Sequence, residues 1–114
     1  MVNDIFKDME NKALRLILRD HPPLLNQLKN AVIAKREFTG VGFFTDFLID
    51  NNVFCGKNMQ ISDVGAKINN SVEIGFVLFI EKGKLDFLEG YTYDAPWPDT
   101  IKTYKLYVIS TQKM

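Results

Sequence analysis

"SVEIGFVLFIEKGKLDFLEGYTY", residues 71–93, decides the fold, because it reads as two apolar strands folded back on each other. Ile74, Phe76, Leu78 and Ile80 recur at a period of two, with Val77 and Phe79 facing the other way. "EKGK" is a short hairpin turn in which a glycine supplies the tight reversal. "LDFLEGYTY" is the partner strand. Both faces of this hairpin are apolar, so each needs a cover or a use.

Upstream, "VGFFTDFLI" gives another strand, with Val41, Phe43, Thr45, Phe47 and Ile49 on one face and Gly42, Phe44, Asp46 and Leu48 on the other. "DNN" at 50–52 marks a turn. "KNMQISDVGAKI" reads as one weaker strand near an edge, and "TYKLYVIS" as the last strand. Before them, Ile5, Met9, Ala13, Leu16 and Ile17 recur at helical spacing and predict a helix over about 3–19. The prolines of "DHPP" interrupt it, and a second helix follows with Leu24, Leu25, Leu28, Ala31 and Val32 as its apolar stripe. Asp20 or His21 stands at its cap position, and its end falls near Arg36. The order helix, helix, then strands joined by short turns predicts an α+β domain over 1–114, with two N-terminal helices on one face of a mainly antiparallel sheet of about five strands.

Two helices cover one face of such a sheet. Phe44, Leu48, Val77, Phe79 and Leu88, on one register, then belong to a second face that curls on itself, packs on another subunit or forms a groove. Each such side chain left in water forgoes roughly 1.5–3 kcal/mol. The expected outcome is a homodimer through the sheet or a sheet edge.

The chain holds 14 basic and 14 acidic residues, and the first 57 residues carry eight of the former and seven of the latter. No segment has the basic excess that phosphate-backbone binding needs, so no nucleic-acid partner is expected. No apolar run is long enough for a signal peptide or a membrane span, and a lone cysteine, Cys55, agrees with a reducing compartment. A cytoplasmic protein without membrane association is the expectation.

Signatures of chemistry are weak. Cys55 has a neighbouring cation in Lys57, but a nucleophile needs a base and His21 is the only histidine. No Cys or His pair has ligand spacing, and "TGVG" at 39–42 runs from helix to strand, the reverse of a phosphate loop. No catalytic residue, metal or cofactor is therefore assigned. Asp46 and Glu89 lie within apolar strands, where a carboxylate needs a cation or backbone donors; Glu89 either forms a carboxylate pair suited to general acid and base work, or links to Arg36, Lys35 or a loop amide, or is solvated at a strand end. In "YTYDAPWPDTI", Pro96 and Pro98 stiffen the loop around Trp97. Trp97 either forms an aromatic clamp with Tyr91 and Tyr93 or folds back onto the sheet. Glu89, Tyr91, Tyr93 and Trp97 are the candidate binding residues.

The pairing of "REFTGVGFFTDF" with "GFVLFIEKGKLDFLEGYTYDAPWP", about residues 36–99, resembles a pattern in small bacterial α+β proteins of uncharacterised activity. The resemblance implies a stand-alone bacterial protein and carries over no activity and no site residues. The function expected is a non-catalytic protein-binding module. Its rivals are a small-molecule binding or hydrolytic domain with a pocket between the sheet and the 94–99 loop, and a toxin-immunity protein.

Overall fold

The computed structural model describes residues 2–49 and 56–109. Among them are two helices, α1 (Asp4–Ile17) and α2 (Pro22–Leu28), and seven strands: β1 (Val32–Phe38), β2 (Gly42–Leu48), β3 (Met59–Ile61), β4 (Val64–Ile68), β5 (Val72–Glu81), β6 (Lys84–Thr92) and β7 (Tyr104–Val108). The turn expected at 50–52 and Cys55 lie outside the described residues.

All ladders are antiparallel, in the order β1-β2-β6-β5-β4-β7, with β3 pairing β5 beyond the end of β4. The β5–β6 hairpin turns through Lys82 and Gly83, with φ of 54° and 80°. Two successive positive φ angles give the type I′ geometry that matches strand twist. The Gln27 side chain ties α2 to this hairpin, donating to the Gly83 carbonyl at 2.6 Å and accepting from the Leu85 N–H at 3.1 Å.

The inner side of the sheet is the side bearing Phe43, Thr45, Ile74, Phe76, Leu78 and Leu88, none more than 1% exposed. The Asn3 side chain caps α1 by accepting from the Phe6 N–H at 2.8 Å. Phe6 then meets the Phe43 ring edge-on at 4.9 Å, and Met9, Ala13, Leu14, Ile17 and Leu24 join the same core. The Cα envelope measures 40 × 38 × 19 Å, a broad slab.

Three expectations are corrected. The sheet has seven strands where about five were expected, because β1 was not foreseen as a strand and β3 and β4 were read as one. The second helix stops at Leu28, not near Arg36; Val32 and Ile33 belong to β1, which pairs β2 across the Thr39–Val41 turn. β-branched Val32 and Ile33 suit a strand better than a helix, and the ladder with β2 holds the segment extended in place of two more helical turns. "KNMQISDVGAKI" is two strands, and the second, β4, lies between β5 and β7 instead of at an edge.

Candidate functional site

A β-bulge organises the outer side of the sheet. Phe79 pairs Phe87 but Ile80 pairs Leu85, so Asp86 is the additional residue. The shift sends Leu85 and Leu88 inward, at 2% and 0% exposed. Phe87, Glu89 and Tyr91 face outward, in register with Phe44, Val77 and Phe79 on the neighbouring strands. Leu88 therefore leaves the second-face set proposed from sequence, and Phe87 replaces it.

Two aromatic groups occupy this face. Phe79 and Phe87 stack at 4.3 Å, and Phe44 meets Phe87 edge-on at 6.0 Å. At the other end Tyr91 and Tyr93 meet edge-on at 5.6 Å. They lie over Gly75, where an added Cβ would sit 2.7 Å from the Tyr91 hydroxyl and 2.9 Å from that of Tyr93. Tyr107 covers Gly65 in the same way, and its hydroxyl donates to Glu73. The paired glycines, Gly65 and Gly75, thus leave room for these rings to approach the backbone closely. Burial and the Glu73 hydrogen bond push the Tyr107 hydroxyl up to about 12.

Glu89 stands between the two groups, opposite Phe44 on β2 and Val77 on β5. Among the described residues no ion pair engages Glu89, Asp46 or Asp86. Lys35 lies opposite Asp46 in the ladder, but its ammonium stands 3.7 Å from Glu37. Burial first, then the charges of Glu81 and Asp46, raises the Asp86 carboxyl above the ordinary carboxylate range. Asp86 also lines a cleft of about 290 Å³ with Phe79, Gln60, Met59 and Glu81. The outer face is therefore aromatic and locally anionic.

The four residues singled out from sequence separate into two places. Glu89, Tyr91 and Tyr93 share the outer side. Trp97 goes to the inner side, packing on Phe43 at 5.3 Å and on Phe38 at 6.4 Å, while its backbone N–H donates to the Gly40 carbonyl at 2.8 Å. The fold-back alternative describes Trp97, and a clamp with Tyr91 and Tyr93 does not form. Arg36 is likewise not a partner of Glu89. It donates to Glu10 of α1 at 2.6 and 3.3 Å, and Thr45 Oγ1 donates to the same carboxylate at 2.6 Å.

Asp86 and Tyr107 were missed. Asp86 alternates with apolar neighbours and reads as an ordinary polar strand position until the bulge is known. Tyr107 carries no distinguishing signal in "TYKLY". His21 occupies the α2 cap position without a side-chain hydrogen bond there, and among the described residues no group of three metal-ligating side chains occurs. No described helix is long and apolar enough to cross a membrane. The chain matches no family model, no curated protein and no solved structure.

Proposed function

We propose that this chain is a non-catalytic protein-binding module whose outer sheet face receives a basic segment of a partner protein. In this reading both helices cover the inner face, and the outer face stays available. The observation that carries it is the combination of half-buried Phe44, Phe79 and Phe87 with Asp46, Asp86 and Glu89, none of them ion-paired among the described residues. Arginine and lysine satisfy both halves of that surface: the charge meets the carboxylates, and the guanidinium or alkyl stem lies over the rings. Two copies of this chain joined face to face would instead bring carboxylates against carboxylates, which costs affinity. Neutralising a basic toxin domain is one form such binding takes.

The test uses a cationic peptide of alternating Arg and Leu, titrated into labelled protein and followed by amide chemical shifts. Shifts centred on Phe44, Phe87 and Glu89, weakened about tenfold by Glu89→Gln or Asp86→Asn and by added salt, support the reading. Shifts confined to α1 and α2, or none, overturn it. Asp86→Asn has a second readout. Its raised folded-state pKa means that ionised Asp86 opposes folding at neutral pH, and that the opposition fades as pH falls through that pKa. The variant is expected to be more stable than wild type at pH 7 and no more stable in acid, read as urea midpoints at the two pH values.

A further inference from the structure

β1 ends the strand order of the sheet, with β2 as its one partner among the described residues. Thr39 donates its N–H to the Gly42 carbonyl at 2.9 Å, continuing the register in which Glu37 faces Phe44 and Lys35 faces Asp46. Hydrogen-bonded and non-bonded pairs alternate along an antiparallel ladder. Glu37–Phe44 and Lys35–Asp46 are thus bonded pairs, and the backbone N–H and C=O of Arg36 and Phe38 point away from β2. Among the described residues β1 pairs β2 alone, so these groups face outward unpaired.

We infer that two copies of this chain associate through antiparallel β1 edges with Arg36 on the two-fold axis. That register makes Arg36 and its counterpart the bonded pair, matching the direction of their free backbone groups. It also places Lys35 opposite Glu37 of the second copy, and Glu37 opposite Lys35, in the non-bonded positions where cross-strand side chains come closest. Lys35 and Glu37 are 64% and 61% exposed, free to turn from each other to the second copy. The two Arg36 side chains meet on the inner side, but each is already neutralised by its own Glu10 and lies 5.6 Å over Phe6. The register shift between Ile33 and Lys35 limits the regular ladder to the second half of β1.

Charge selects this edge over the opposite one. On β7 the only charged side chain is Lys105, with Lys102 just before the strand, so self-pairing there would gather like charges. The self-complementary Lys-x-Glu of β1 does the reverse. This inference is independent of the outer-face reading, since it uses backbone groups at the sheet edge and leaves Phe44, Phe79 and Phe87 uncovered.

Sedimentation velocity over a hundredfold concentration range tests it on four samples: wild type, Lys35→Glu, Glu37→Lys, and an equal mixture of the two variants. The wild type is expected to show a reversible dimer. Each variant alone sets like charges opposite one another at two symmetric places and weakens the dimer about tenfold or more. In the mixture every cross-strand pair is again Glu with Lys, so the dimer returns. A lesion of the fold would not be repaired by mixing, and far-UV circular dichroism of each variant checks this separately. A monomeric wild type, a dimer indifferent to both variants, or a mixture as dissociated as its components each overturns the inference.

Discussion

At Gly90, between Glu89 and Tyr91, an added Cβ would sit 2.2 Å from the Phe43 ring. That ring is fully buried, with Phe6 at 4.9 Å and Trp97 at 5.3 Å around it, so it has nowhere to retreat. Gly90→Ala is therefore expected to destabilise the protein by about 2 kcal/mol, the usual cost of overpacking a filled core, as measured by urea denaturation. Gly75 offers a contrast. A Cβ there would meet the outer ends of Tyr91 and Tyr93, of which Tyr93 is 53% exposed, so rings and not core have to move. The absence of a side chain at Gly90 makes room for the core, and at Gly75 it shapes the surface.

Among the elements, α1 and the β1–β2 hairpin are joined by the buried Glu10 carboxylate. Its side chain is 4% exposed and receives Arg36 from β1 and Thr45 from β2. Removing one partner of a buried pair leaves the other charge uncompensated. Glu10→Ala is expected to cost about 3 kcal/mol in denaturant titration, whereas Lys35→Ala, on an exposed pair, should change stability by no more than about 0.5 kcal/mol. The loop after β6 is held by similar means. Asn69 accepts from the Lys102 and Thr103 N–H groups at 2.7 and 3.2 Å and donates to the Thr100 carbonyl at 2.9 Å, fixing where β7 begins.

For the whole molecule, two tyrosines of β7 fasten that strand in a pH-dependent way, one to a helix and one across the sheet. Tyr104 of β7 donates to Asp8 of α1, and Tyr107 donates to Glu73 of β5. Burial, followed by these carboxylate contacts, pushes both hydroxyls up to about 12. A raised folded-state pKa stabilises the fold fully below the unfolded value, near 10, and the contribution is lost as pH rises through about 12. Stability is expected to fall between those limits. Tyr104→Phe and Tyr107→Phe should each flatten that fall, read as thermal midpoints from pH 8 to 12.

In residues 71–93 the alternation in β5, the Lys82–Gly83 turn and the apolar character of both faces were legible from sequence alone, being local properties that a period of two and a positive-φ glycine reveal. The helix α1 and its apolar stripe were equally legible, as was the division of β2 into Phe43, Thr45 and Phe47 against Phe44 and Asp46. Only the tertiary structure decided the rest. The bulge at Asp86 reverses which side of β6 faces inward, and it shows only in how β5 and β6 pair, Phe79 with Phe87 but Ile80 with Leu85. The strand β1 has weak local preference and takes its form from the ladder with β2. Trp97 lies on the inner side because Phe38, Phe43 and Gly40, distant in sequence, meet there. Local periodicity records which faces are apolar; pairing partners, and hence which face is covered and which edge is free, depend on contacts between residues far apart in the chain.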